Sequence, residues 1–428
     1  MSPPAEPALL IASKLPAESA FPAEPTPRDT PRIARSDPAF WRLTAPLAFG
    51  GFSTFALLYN VQPLLPLFSR AFAISPASAA LAVSVSTIVL SVSMIGAGIV
   101  ADLWGRKTVM ATSIALSSLA ILLGAAAPNW PSFLALRALA GLTLAGLPAV
   151  AMAYLVDELD FKAVGFGMGL YIAGTTLGGM SGRLVAAAIS EYWGWRMAVA
   201  AAGLLGSIGA LWIAFALPPS RHAPRGASFS QLWPGFAQAL ADPGLRLLFA
   251  EGFLVMGVFV CSYNYIGFRL AAPPFSLSQT VIGSVFVLYL IGAVSSAVMG
   301  QLADRFGRRR VLWIAIAAEL AGVLATLPNN LVVVIVGVAL ITWGFFGAHT
   351  VASSWVGLRA PGARPQAAAL YLFFYYIGSS LIGWLGGLFF ARGGWAAVVA
   401  LLAGLSAVGL VVALRLSTIP PPRPRANP

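Results

Sequence analysis

The chain has 428 residues and a formal charge of +12, yet only 9% of its side chains are charged and 59% are hydrophobic. Soluble domains carry about 25% charged residues, so this composition, with a mean hydropathy of +0.85, points to a polytopic membrane protein. A transmembrane β-barrel is excluded because the apolar runs are long and do not alternate. One cysteine (Cys261) and two histidines (His222 and His349) leave no residue set for a metal cluster or a disulfide framework.

In chain order, residues 1–38 are rich in Pro, Ala and Ser and are expected to form a disordered cytoplasmic tail. Twelve apolar segments follow, each near the roughly 20 residues that cross a bilayer. Six are expected near 44–68, 78–100, 108–127, 132–156, 164–188 and 196–216, making an N-terminal half over 39–216. Six more are expected near 247–269, 280–302, 311–328, 331–355, 367–391 and 395–416, making a C-terminal half over 247–416. Between them, 217–246 carries Arg221, His222 and Arg225 and reads as a cytoplasmic linker, and 417–428 as a short tail. With the N-terminus inside, most of the 26 lysines and arginines fall in cytoplasmic loops and tails. The basic charge is therefore a signal of topology and not of nucleic-acid binding. Both termini are expected in the cytoplasm.

The chain repeats itself. Gly98-Ile-Val-Ala-Asp102-Leu-Trp-Gly105-Arg106-Lys107 returns as Gly300-Gln-Leu-Ala-Asp304-Arg-Phe-Gly307-Arg308-Arg309, and Tyr59-Asn60 returns as Tyr263-Asn264. Gly174 to Gly179 likewise returns as Gly378 to Gly383. The ten-residue loop resembles the signature of the major facilitator superfamily, with Leu103 standing in the first copy where the family has arginine. That resemblance implies an all-α membrane protein of twelve transmembrane helices in two pseudo-symmetric six-helix halves. It implies a secondary transporter that moves a small solute by alternating access. Tyr59 to Pro66, Gly178 to Arg183 and Ala272 to Gln279 resemble a bacterial inner-membrane branch grouped with drug and sugar (arabinose-type) efflux permeases.

The resemblance gives the loops a latch role. Asp102 would face the N-terminal end of the eleventh span near Pro365 and Gln366, and Asp304 that of the fifth near Lys162. Arg106 or Arg308 would pair with Asp157 or Glu158, while Gly98 and Gly300 would allow close helix approach and Gly105 and Gly307 complete the loops. Arg137 and Arg183 lie inside apolar runs, where an unpaired charge is costly. Arg137 resembles the arginine that the family links to proton coupling or substrate contact; bonding to backbone carbonyls is its structural alternative. Arg183 can line the path or snorkel to the outer surface. Glu251 and Glu319 are the candidate proton carriers. Gly174 to Gly179 resembles an antiporter motif in which Thr175 replaces proline, and its glycines would pack the fifth span against the other half. Cavity candidates are Tyr59, Asn60, Gln62, Thr175, Thr176, Tyr263, Asn264, Tyr375 and Tyr376.

The leading expectation is a proton-coupled exporter, working as a monomer with protons, a small solute and the lipid bilayer as its partners. An uptake symporter or facilitator of the same fold is the alternative. A membrane enzyme is the reading from another class; the acids Asp157, Glu158 and Asp160 lack the nearby histidine or paired acidic motif such chemistry uses. No nucleotide-binding loop is present and no cofactor is implied.

Overall fold

The computed structural model describes residues 32–222 and 229–419. Asp37, Ser75, Asn129, Asp242, Ser278 and Asn330 each cap a helix, their side chains accepting a backbone N–H of the first turn. The helices they and their neighbours start are α1 (Pro38–Tyr59), α2 (Leu65–Ala71), α3 (Pro76–Trp104), α4 (Arg106–Ala125), α5 (Trp130–Leu144), α6 (Gly146–Glu158) and α7 (Phe161–Ala216). The second part comprises α8 (Phe229–Ala241), α9 (Pro243–Ala271), α10 (Gln279–Ser284), α11 (Tyr289–Phe306), α12 (Arg308–Ala325), α13 (Leu331–Arg359) and α14 (Arg364–Thr418).

Length decides how these helices make spans. The 56 residues of α7 would extend about 84 Å at ~1.5 Å per residue, nearly three times the ~30 Å of a bilayer core. The helix breaks at Gly194, whose φ of 78° only glycine adopts without strain, and α14 breaks at Gly393 and Gly394. Each is therefore two spans. Pro63 and Pro66 interrupt the first span between α1 and α2. Counted this way, the described residues make twelve spans: α1–α2, α3, α4, α5–α6, two in α7, α9, α10–α11, α12, α13 and two in α14.

Glycine governs the packing inside each half. Gly174, Gly178 and Gly182 of the fifth span press on Ala48, Phe52 and Ala56 of the first, and Gly378 of the eleventh presses on Phe253 of the seventh. The motif glycines thus pack the fifth span against its own half. The expectation that they reach the other half is corrected: their small side faces α1, and the duplicated Gly378 repeats that contact with α9. The halves themselves meet at the end away from the glycine–acid–arginine loops. Ser84 Oγ donates to Ser380 O at 2.9 Å, Thr87 and Ser380 hydroxyls lie 2.8 Å apart, and Gly283 touches Ala187. Gln279 Nε2 donates to Pro63 O at 2.5 Å, and Thr280 N to Glu191 Oε2 at 2.6 Å.

At the loop end the halves part. A cavity of about 290 Å³ opens between α3, α6 and the start of α14, lined by Gly98, Asp102, Arg106, Pro365 and Gln366 and bordered by Phe236 of α8. Within the linker the amphipathic α8 packs Phe236 inward; thirteen residues are too few to read as a span. The tail also begins earlier than expected to be ordered: Ile33 N donates to Glu158 O, and Asp160 N to Ile33 O, both at 2.9 Å. The expectations of a disordered tail over residues 1–31, of the linker over 223–228 and of a tail beyond 419 fall outside the described residues.

Candidate translocation site

Two buried arginines behave in opposite ways. Arg137 of α5 is 1% exposed and spends all three nitrogens on backbone: Nε donates to Ala82 O at 2.8 Å, Nη1 to Leu57 O at 3.1 Å and Nη2 to Leu58 O at 2.6 Å. Those carbonyls belong to α3 and to the end of α1, where the broken first span frees them. Arg137 therefore staples three spans of one half, with no nitrogen left for a solute.

Arg183 is 2% exposed and does not reach the outer surface, so snorkelling is corrected. Its Nη1 donates to Gly179 O at 2.5 Å and its Nε to Gln62 Oε1 at 2.6 Å. Gln62 Nε2 in turn donates to Asn264 Oδ1 at 2.8 Å, linking the two halves. The guanidinium carbon lies 4.2 Å from the Tyr59 ring centre, 4.8 Å from Tyr289 and 5.2 Å from Phe286. Such contacts reach about 2 kcal/mol when desolvated, against roughly 2.5–3.5 kcal/mol for a charge at membrane depth. No carboxylate pairs with Arg183 among the described residues. At the end of that chain of hydrogen bonds Asn264 Nδ2 is buried without a hydrogen bond, as is Asn60 Oδ1 on the first span.

The other cavity candidates divide. Tyr263 stacks on Phe286, 5.2 Å between centres, and its hydroxyl meets Thr342 at 2.8 Å. Tyr375 and Tyr376 stand near Tyr59 on the eleventh span, and Tyr375 packs on His349, whose Nδ1 meets Tyr371 at 3.0 Å. Thr175 and Thr176 turn their hydroxyls back to Ile172 O of their own helix, so these groups are engaged within α7.

Glu251 and Glu319 lie inside the C-terminal half. A Cβ at Gly409 would be 3.5 Å from Glu251 Oε2 and 3.4 Å from Ile316, one turn before Glu319. Neither oxygen of Glu251, nor Oε1 of Glu319, has a hydrogen-bond partner among the described residues.

At the loop end Arg106 pairs with Asp157, as expected. Glu158 does not take an arginine side chain. It accepts from Ser220 Oγ at 2.7 Å and from the Arg221 and His222 backbone, and meets His222 Nδ1 at 3.1 Å, so it ties the linker to α6. Arg308 pairs with Asp304 at 2.8 Å within one helical turn, and Asp304 is exposed where the fifth span was expected to meet it. Gly98 has nothing within 4 Å of the place a Cβ would occupy, and Gly300 only Thr350 at 3.7 Å. The close approach expected of these two glycines is absent because the halves are apart there. Gly105 and Gly307 hold φ of 86° and 89°, turning each loop tightly from one span to the next.

The sequence model of the Major Facilitator Superfamily matches residues 47–275 and again 252–428. The chain belongs to this superfamily. Among major facilitators, the inner membrane transport protein YnfM of Escherichia coli K12 is 44% identical, covering 90% of this chain and 92% of its own. The MFS-type transporter YybF of Bacillus subtilis is 42% identical, covering 90% and 95%. A bacterial homologue of the lysosomal transporter Spinster, in an inward-facing unoccupied conformation, superposes with a TM-score of 0.73 at 15% identity over 89% of this chain and 96% of that one. The nucleoside transporter NupG gives 0.72 at 16% over 90% and 100%. The protein is thus a multi-pass membrane transporter and not an enzyme.

Sequence reasoning missed Phe286, Tyr289 and Gln279. All three lie on the eighth span or just before it, and only the packing of that span on the fifth brings them to Arg183 and Pro63. The preceding Ala272-to-Gln279 signature marked the stretch without assigning it a contact.

Proposed function

We propose that this major facilitator exports a small drug-like or sugar-like solute from the bacterial cytoplasm in exchange for protons, with both termini inside. The observation that carries the reading is the asymmetry of the halves: sealed through Ser84–Ser380 and Gln62–Asn264, parted around Asp102. The basic loops give the parted end as cytoplasmic, which makes this an inward-open state ready to load from the cytoplasm. The relative YnfM carries the words inner membrane in its name, which supports the same membrane for this chain. The helices that border the cavity all come from one chain, which supports a monomer as the working unit.

The proton is carried by Glu251 or Glu319, acids at membrane depth with unsatisfied oxygens. Closure brings Asp102 onto the N-terminal end of the eleventh span, where a helix end stabilises an acid by ~0.3–1 kcal/mol. A facilitator or uptake symporter is the second reading, favoured by Thr175 in place of the antiporter proline: the helix is unbroken there.

Inverted membrane vesicles with an imposed proton gradient test the proposal. A panel of dyes, drugs and sugars is added while internal pH is followed. Antiport predicts that at least one compound collapses the gradient and that Glu251→Gln or Glu319→Gln abolishes the collapse. Labelled solute that equilibrates without touching the gradient hands the function to a facilitator.

A further inference from the structure

Arg183 is a cation at membrane depth with one guanidinium nitrogen uncommitted. Nε and Nη1 are taken, but Nη2 donates to no described residue, and the four ion pairs among the described residues do not include it. The contrast with Arg137, whose three nitrogens all reach carbonyls, shows that this fold can saturate a buried guanidinium when only structure is required. Two further donors stand nearby. Asn264 Nδ2 is buried and unbonded, and it belongs to the amide that closes the chain from Arg183 through Gln62. The Tyr59 hydroxyl is carried by the ring 4.2 Å beneath the guanidinium. The walls around these donors are aromatic: Tyr59, Phe286 and Tyr289.

We propose that Arg183 is an anion-recognition point and that the solute class is an aryl carboxylate or a similar amphipathic organic anion. This rests on the transporter reading but not on its direction or its coupling. A carboxylate has two acceptor oxygens, enough for Nη2 of Arg183 with either the Tyr59 hydroxyl or Asn264 Nδ2. An attached aromatic ring takes the place of water against Tyr289 and Phe286. Because Gln62 and Asn264 also bridge the halves, an anion that draws Arg183 or Asn264 to itself loosens the seal at that end. Binding and opening are then one event.

The probes are 2-naphthoate and the isosteric neutral 2-naphthamide, with binding measured by calorimetry on the full chain in nanodiscs at pH 7. The expected result is a preference for the carboxylate of at least roughly tenfold, the least that a hydrogen bond to a buried charge contributes. Arg183→Gln is expected to erase the preference, and Arg183→Lys to keep part of it. Should Arg183→Gln fail to fold, Asn264→Leu reports instead through a reduced preference. The proposal is overturned if the native protein binds the amide as tightly as the carboxylate, binds neither, or keeps its preference in Arg183→Gln. A protein that shows Arg183-dependent binding but no solute-driven proton movement keeps the anion site and loses the exporter reading.

Discussion

Arg137 and Arg183 look alike in a hydropathy profile and differ in what surrounds them. Arg137 is legible as a problem in the sequence, a charge within an apolar run, but its solution is not, because the accepting carbonyls come from residues 55 to 80 positions away. Replacing it by glutamine removes the charged donor from three buried carbonyls, and a hydrogen bond to a charged group contributes ~1.5–3 kcal/mol. Arg137→Gln is therefore expected to lose about 3 kcal/mol in denaturant unfolding from detergent, with Arg137→Lys recovering part of the loss. Stability unchanged from the native protein would mean that the carbonyls find other donors and that the staple is dispensable. The aromatic ring set around Arg183 was beyond the sequence for the same reason: Phe286 and Tyr289 are more than a hundred residues away and meet it only across the two halves.

At the scale of helices, twelve spans and their duplication were readable because hydropathy and repetition are properties of contiguous residues. Which face a glycine presents is a matter of rotation about the helix, and there the reading of span five failed. Its glycines serve α1, where a side chain would run into the backbone of Phe52. Gly178→Val is expected to destabilise by roughly 1–3 kcal/mol or to prevent assembly of the half, as overpacking does. Gly98→Ala, which meets open space in this conformation, is expected to stay within about 0.5 kcal/mol of the native protein. Comparing the thermal unfolding of the two variants checks the assignment. Equal losses would contradict it. The short α8 escaped the sequence because its thirteen residues carry an amphipathic pattern inside a polar stretch, and a search for spans passes over it.

For the whole molecule, the loops, the cavity and the sealed end describe one conformation of the proposed alternating-access cycle. The loop residues are present but not engaged across the halves: Asp102 borders the cavity, Asp304 keeps to its own turn, and Arg106 holds Asp157 within the N-terminal half. Rocking of one half against the other would exchange the open and closed ends without remaking either bundle. The glycine contacts with α1 and α9 would travel with their halves, while the Ser84–Ser380 and Gln62–Asn264 bridges would break.

Spin-label distances test this most directly. Cys261, the chain's one cysteine, is first replaced by alanine so that labels go only where intended. One pair goes on Leu103 and Phe306, exposed at the loop end in opposite halves, and another on Tyr192 and Val281, exposed toward the sealed end. On adding a solute or shifting pH, the first distance is expected to shorten while the second lengthens. Two distances that stay fixed, or that move in the same sense, would contradict alternating access in this chain.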